Sequence, residues 1–178
     1  NLSTKNTIGS KIRNYMLKVK ESLSDNTNPI FLLLPQIVTF IIFAIFFSNN
    51  EIYPFGDGSV AWCDLKQQGI PLLMNLKDVL SGDGSIFYSF NNASGMNFWG
   101  VFLFFLSNPF SFLCVLFPKD DLYKLVSLLM ILKLCTSSFT ATLYFTRSNK
   151  NINGFHASIL GVSYALCAYG LMYNQNLM

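Results

Sequence analysis

Charged side chains are scarce in this chain of 178 residues. Asp, Glu, Lys and Arg make up 12% of it, whereas the hydrophobic class makes up 52%. A soluble domain carries about 25% charged residues. The hydrophobic residues also occur in long blocks. The sequence therefore predicts a protein embedded in a membrane and argues against a soluble globular enzyme.

Several common chemical motifs are missing as well. The sequence has no glycine-rich nucleotide loop, no zinc-ligand spacing, no Ser/His/Asp order and no CxxC pair. Of its four cysteines, Cys114, Cys135 and Cys167 lie in apolar runs, where a free thiol packs as a small hydrophobe. His156, the one histidine, is expected to be structural. No nucleic-acid partner and no cleavable signal peptide are predicted.

The apolar runs predict an all-α, polytopic integral membrane protein. Residues 30–48 carry no charge and match the ~30 Å thickness of the hydrocarbon layer, so they are the predicted first transmembrane helix. Three further apolar helical segments are predicted at 98–118, 122–145 and 154–173. The sequence "SNP" interrupts the run 98–118. This run is therefore either a kinked span or a re-entrant pair, and the sequence leaves both open.

The distribution of charge predicts an orientation in the membrane. Residues 1–29 contain five basic and two acidic side chains, and "KIRNYMLKVKESL" reads as a basic amphipathic helix. Residues 49–97 contain five acidic and two basic side chains. Lys and Arg are retained on the cytoplasmic side. We therefore expect 1–29 to be cytoplasmic and 49–97 to form a long extracytoplasmic first loop.

The 49–97 loop is too long to be a simple connector. Its stretch "IPLLMNLKDVLSGDG" predicts a helix over 71–80, with Pro71 at its start and Gly82 as its cap. A helix of this length cannot span a bilayer, so it is expected to lie along the outer interface. Six of the eleven glycines fall in this loop, which suggests tightly turned backbone.

Two aspartates of the loop are the candidate catalytic groups. Asp57 and Asp64 lie in "YPFGDGSVAWCDLKQQ", directly after the predicted first span. A carboxylate can accept a proton from a hydroxyl group during attack. Solvation or helix capping is the alternative explanation for each acid.

Four stretches of the chain together resemble the start of the YfhO family of bacterial membrane proteins. They are "GDGSVAWCDLKQQ", "FYSFNNASGMNFWG", "LSNPFSFLCVLFP" and "YALCAYGLMYNQNLM". The resemblance implies a GT-C-type glycosyltransferase of the bacterial cell membrane that takes a sugar from a polyprenyl-phosphate donor on the outer face. It implies a cell-envelope polymer, such as teichoic acid, as the acceptor. It also implies a longer protein, so this chain is expected to be an N-terminal portion that is inactive by itself.

The resemblance favours Asp64 as the general base, because "DLKQQ" is similar to the acidic motif of this enzyme class. Asp57 is the second candidate for that role. A divalent metal bound by Asp57 or Asp64 is left open, and Lys66 or Lys77 is a candidate for holding the phosphate. The candidate substrate-binding residues are Lys66, Gln67, Gln68, Tyr88 and Asn97.

Two other classes of function remain compatible with the residues. A transporter or flippase of a lipid-linked precursor would use the interrupted run 98–118 and Lys133, which lies near the middle of a predicted span. A non-catalytic membrane subunit that supports a partner is the third hypothesis.

Overall fold

A computed structural model describes residues 13–14, 17, 29–91, 94–148 and 152–174. Apart from 13–14, 17 and 29, the predicted basic segment 1–29 lies outside the described residues. The described part is mostly helical and contains one short antiparallel β-hairpin.

The elements follow one another as a series of helices with the hairpin inserted near the middle. The first elements are α1 Ile30–Asn49, a π-helical turn Leu65–Gly69 and α2 Ile70–Ser81, which directly continues that turn. The hairpin strands β1 Tyr88–Ser89 and β2 Met96–Asn97 follow, and then α3 Phe98–Val101, which continues into a π-helical turn Phe102–Leu106. The last elements are the 3₁₀ helices Pro109–Leu116 and Lys119–Asp121, α4 Leu122–Ser148, α5 Gly154–Ala165 and α6 Ala168–Tyr173.

Two of the described helices are long and apolar enough to cross a membrane. The first is α1, with a mean hydropathy of 2.7, and the second is the continuous helix Lys119–Ser148, with a mean hydropathy of 1.6. Along α1, Ile37, Ile41 and Ile45 recur every four residues and are exposed, as expected for a helix face that contacts lipid. The chain is therefore a helical membrane protein.

Helix α2 forms where the sequence predicts it. Pro71 occupies its first turn, where the missing backbone N–H costs no hydrogen bond. Gly82 ends it with a left-handed φ of 88°, and its N–H donates to the carbonyls of Asp78 and Val79. Of the predicted apolar face, Leu72, Leu73 and Leu76 are buried, whereas Leu80 in the last turn is exposed.

The apolar run 98–118 changes direction sharply. The chain bends by 106° between the helices Phe98–Leu106 and Pro109–Leu116. Asn108 caps the second helix, because its Oδ1 accepts a hydrogen bond from the Phe110 N–H at 2.9 Å. Pro109 follows in the first position. We refer to these two helices as the bent pair.

The run 154–173, which the sequence predicts as one segment, is divided into two helices. Helix α5 has 12 residues and α6 has 6. Cys167 lies between them in an extended conformation, with ψ of 154°, and its Sγ accepts a hydrogen bond from the Gly170 N–H. The break follows from this local cap, which hydrophobicity alone does not indicate.

The described residues fall into two compact units. One unit contains the chain up to Thr39 together with Thr136–Ala165. In it, small residues of α5 allow close packing: Ser158 Oγ donates to the carbonyl of Phe31 at 2.7 Å, and Gly161 lies against Ser138 and Thr142.

The other unit contains Phe40–Cys135 and the chain from Leu166. Its main core joins α2, the bent pair and the start of α4. The buried members of this core are Leu65, Ile70, Leu72, Leu73, Leu76, Phe98, Leu106, Cys114, Leu122, Leu125, Val126 and Leu129. This core holds the loop that carries both candidate aspartates.

Candidate functional site

The loop after α1 folds tightly onto its own backbone. The Gly58 N–H donates to the Glu51 carbonyl at 2.8 Å, and the Tyr53 N–H donates to the Gly58 carbonyl at 2.9 Å. A Cβ atom at Gly56 would lie 2.6 Å from the Glu51 carbonyl carbon, and one at Gly58 would lie 2.8 Å from the Glu51 oxygen. A side chain at either position would collide with the Glu51 backbone, so both positions require glycine. Asp57 lies between them with its side chain exposed.

The segment that follows is hydrogen-bonded to the first turns of α4. Ser59 Oγ donates to the Tyr123 carbonyl at 2.8 Å, and the Val60 N–H donates to Ser127 Oγ at 3.3 Å. The Ala61 N–H in turn donates to Ser59 Oγ at 3.1 Å. The chain between the two aspartates is thus fixed at the beginning of a membrane-spanning helix.

Asp64 starts the helical segment that leads into α2. Cys63 before it has a left-handed φ of 45°, which turns the chain into the helix. Asp64 is the residue before the π-helical turn and makes no side-chain capping bond. A carboxylate at a helix N-terminus is favoured by the backbone dipoles, and π-helical turns frequently occur at functional sites.

The turn after Asp64 separates polar from apolar side chains. Leu65 and Gly69 are buried, whereas the side chains between them are exposed. Within the described residues, no side-chain hydrogen bond or ion pair involves Asp57, Asp64, Lys66, Gln67 or Gln68. Asp64 and Gln68 are four residues apart, a spacing that places them about one turn apart. The structure therefore exposes one acid, one cation and two amides along a single helical turn.

Tyr88 and Asn97 form a second group, in the hairpin. They are directly opposite each other in the register of β1 and β2. Asn97 is partly committed to structure, because its Oδ1 accepts a hydrogen bond from the Gly100 N–H at 3.4 Å and caps α3. The Tyr88 hydroxyl lies over Gly95, whose φ of 111° and missing side chain leave space for it.

The hairpin is attached to α2 through a buried polar contact. Ser89 Oγ donates to Asn75 Oδ1 at 3.2 Å, and Asn75 is only 5% exposed. Within the described residues the Asn75 side-chain nitrogen has no hydrogen-bond partner. This contact places the hairpin against the same helix that follows the Asp64 turn.

The described residues contain no group of three or more His, Cys, Asp or Glu side chains arranged to hold a metal ion. Asp57 and Asp64 are two carboxylates, and Mg²⁺ in proteins is often held by one or two carboxylates together with substrate phosphates. The described residues therefore provide no complete protein cage for a divalent metal.

The Lys77 side chain is engaged in hydrogen bonds that hold the fold together. Its Nζ donates to the carbonyls of Val115 at 3.0 Å and Cys114 at 3.4 Å. The neighbouring Asp78 forms an ion pair with Lys119 at 2.5 Å. These contacts join the second half of α2 to the bent pair and the start of the Lys119–Ser148 helix. Of the two candidate phosphate-binding lysines, only Lys66 has an unengaged ammonium group among the described residues.

We expect Lys77→Met to lower the stability of the protein. The substitution keeps the aliphatic stem and leaves two carbonyls without their charged donor, at a cost of about 1–3 kcal/mol. Thermal unfolding of the purified protein measures the effect, with Lys66→Met as the matched control at an exposed lysine. A Lys77→Met protein that unfolds at the same temperature as the unsubstituted protein would contradict this structural role.

Sequence reasoning missed the exposed aromatic residues around the site. Trp62, two residues before Asp64, is 72% exposed. Phe87, next to Tyr88, is 70% exposed, and its ring centroid lies 6.4 Å from that of Trp99. A tryptophan in a glycine-rich polar loop was the signal that could have identified the first of them.

Comparison with known proteins places the chain in a family. Searches of curated proteins and of solved structures find no match. A sequence model of one family, described as bacterial membrane protein YfhO, matches residues 36–178. This match covers most of the chain, including both aspartates, the hairpin and the bent pair. The chain belongs to the YfhO family of bacterial membrane proteins.

Proposed function

We propose that the chain is part of a GT-C-type membrane glycosyltransferase. The enzyme would transfer a sugar from a polyprenyl-phosphate donor to a cell-envelope polymer, such as teichoic acid, on the outer face of the bacterial cell membrane. The main support is Asp64, which is exposed, makes no side-chain hydrogen bond or ion pair within the described residues and precedes a π-helical turn that exposes Lys66, Gln67 and Gln68. Family membership and the two membrane-spanning helices agree with this proposal.

In the proposed reaction, Asp64 acts as the general base. Its carboxylate accepts the proton of an acceptor hydroxyl while the hydroxyl oxygen forms a bond to the anomeric carbon of the sugar. The bond between that carbon and the phosphate oxygen breaks, and the polyprenyl phosphate leaves with the electron pair. The leaving group gains negative charge, which a nearby cation stabilises.

The other polar groups of the turn have proposed binding roles. Lys66 lies two residues from Asp64 and is exposed, so it can pair with the phosphate. Gln67 and Gln68 offer amide donors and acceptors for sugar hydroxyls. Tyr88 and Asn97 are proposed to contact the substrate from the hairpin, with Asn97 also serving as the cap of α3.

Asp57 is the second candidate for the base. The loop around it is held by hydrogen bonds that involve Glu51, Tyr53 and Gly58, so its position is well defined. Asp64 is preferred because it begins the turn that also presents Lys66 and both glutamines. Substitution of each aspartate separately distinguishes the two assignments.

The proposed orientation places the catalytic turn outside the cell. The basic side chains of 1–29 favour a cytoplasmic N-terminus, and the acidic 49–97 segment then lies on the opposite side of α1. An external site fits a donor that carries its sugar on a lipid, because such a donor presents the reacting carbon at the membrane surface.

Reconstitution of the full-length protein tests the proposal. Vesicles would contain a polyprenyl-phosphate-linked sugar and an envelope polymer, and radiolabelled sugar on the polymer would be measured. The proposal expects donor-dependent transfer to the polymer. Movement of the donor between leaflets without transfer would instead support a flippase. The absence of both transfer and donor movement would favour a non-catalytic subunit.

A further inference from the structure

The bent pair is too short and too strongly bent to cross a bilayer. Its first helix has four α-helical and five π-helical residues, a length of about 13 Å at ~1.5 Å per residue. Its second helix has 8 residues of 3₁₀ geometry, about 16 Å at ~2.0 Å per residue. Because the helices turn through 106°, the second runs slightly back along the first. The pair therefore covers far less than the ~30 Å hydrocarbon layer.

The bend is maintained by hydrogen bonds and by buried side chains on both helices. At the break, Ser107 Oγ donates to the Leu103 carbonyl at 2.9 Å, and the Ser111 N–H donates to the Asn108 carbonyl at 2.9 Å. Leu106 before the break and Cys114 after it are both fully buried in the same core. A straight helix would have to remove at least one of them from that core.

The bent pair also exposes several large apolar side chains. Its exposed large side chains are Trp99, Leu103, Phe104, Phe112, Val115 and Leu116. A row of aromatic rings crosses the break: the centroids of Trp99 and Phe102 are 5.7 Å apart, and those of Phe102 and Phe112 are 6.1 Å apart. An exposed apolar surface of this kind marks a binding surface for lipid or protein.

The position of the pair in the chain identifies lipid as its partner. Leu116, the last residue of the bent pair, is followed after two residues by the membrane-spanning helix Lys119–Ser148. The first residues of that helix are the charged Lys119, Asp120 and Asp121, which belong at the boundary between lipid and water. The bent pair must then lie beside the same boundary, and the exposed Trp99 fits this position because tryptophan is enriched there.

We infer that the bent pair is a monotopic element, which lies in the headgroup region of one leaflet and contacts lipid through its exposed apolar surface. This inference does not depend on the proposed reaction. The described chain then crosses the membrane twice, through α1 and Lys119–Ser148. The connector with Arg147 and Lys150 thereby returns to the side of the basic segment 1–29, as the distribution of basic residues independently favours.

Thiol mapping in intact cells tests whether the bent pair crosses the membrane. Single cysteines would be introduced into the full-length protein as Asp83→Cys before the pair, Asp120→Cys after it and Ser148→Cys at the end of α4. Each is compared with a Cys63→Ser parent, which lacks the exposed native thiol. A membrane-impermeant maleimide should label positions 83 and 120 from the same side and position 148 only from the other. Labelling of 83 and 120 from opposite sides would show that the pair spans and would overturn the inference.

Spin labels at Leu103→Cys and Phe112→Cys test the lipid contact. In vesicles of phosphatidylglycerol and phosphatidylethanolamine, oxygen and nickel accessibility report the depth of each label. Ile41→Cys, on the exposed face of α1, calibrates a deep position, and Asp83→Cys calibrates water. The accessibilities should place the labels at positions 103 and 112 at a shallow depth in the lipid. A reading equal to water, or one as deep as position 41, would contradict the monotopic placement.

Discussion

We expect Asp64→Asn to reduce sugar transfer by the full-length protein by about 10²–10⁴-fold, the usual contribution of a general base. Asparagine has nearly the same shape and can still accept a hydrogen bond, but it cannot take up the acceptor proton. Asp64 makes no side-chain capping bond, so the substitution removes no stabilising hydrogen bond at this helix start. Initial rates with a polyprenyl-phosphate sugar donor measure the change.

Two matched variants make this result specific. Asp120→Asn changes an exposed aspartate at the start of the Lys119–Ser148 helix and should retain normal transfer. Asp57→Asn should have a smaller effect than Asp64→Asn. Normal transfer by Asp64→Asn would refute its assignment as base, and a large loss confined to Asp57→Asn would move that role to Asp57.

We expect Gly161→Ala to destabilise the protein by about 1–3 kcal/mol, the cost of overpacking a tight contact. A Cβ atom at this position would lie 2.7 Å from the Ser138 carbonyl oxygen and would also collide with Thr142 Oγ1. The carbonyl belongs to the backbone of α4 and cannot move aside as a side chain can. The intrinsic preference of alanine for helices, about 1 kcal/mol over glycine, offsets only part of this cost.

Gly100→Ala is the matched control for this prediction. A Cβ atom at Gly100 would lie 3.6 Å from the Asn97 side-chain nitrogen, which is an ordinary van der Waals contact. Its stability should be unchanged or slightly higher. Thermal unfolding in detergent compares the two variants, and equal stability of both would contradict the close approach of α5 to α4.

Elements determined by local sequence could be predicted well. Helix α2 has a proline in its first turn, a glycine cap and an apolar face, so its bounds Ile70–Ser81 differ little from the predicted 71–80. The first span needed only the length of an uncharged run, and α1 ends at Asn49, one residue after the predicted end. In both cases neighbouring residues alone carry the signal.

The direction of the run 98–118 could not be predicted in the same way. Pro109 indicates a break, but the 106° angle depends on both helices packing into the core formed by α2 and α4. Similarly, nothing in "LKQQG" distinguishes a π-helical turn from an α-helical one. The engagement of Lys77 with carbonyls 37 and 38 residues further along also required the tertiary structure.

The candidate site was predictable as a set of residue types but not as an arrangement. The acid and the polar residues after it are adjacent in sequence, and a helical turn necessarily keeps them together. The pairing of Tyr88 with Asn97 depends on the hairpin register, which "FNNASGM" does not reveal. The glycine density of the loop indicates turned backbone, and the structure adds that Gly56 and Gly58 lie against the Glu51 backbone.

The exposed thiol of Cys63 provides the most direct measurement, because it adjoins Asp64. Intact cells that express the full-length protein would be treated with a membrane-impermeant maleimide, with Cys63→Ser as the control. We expect labelling of Cys63 from outside, slower labelling when the polyprenyl-phosphate sugar is present, and loss of transfer by the labelled protein. Labelling only after the membrane is permeabilised would place Asp64 in the cytoplasm and contradict an external glycosyl-transfer site.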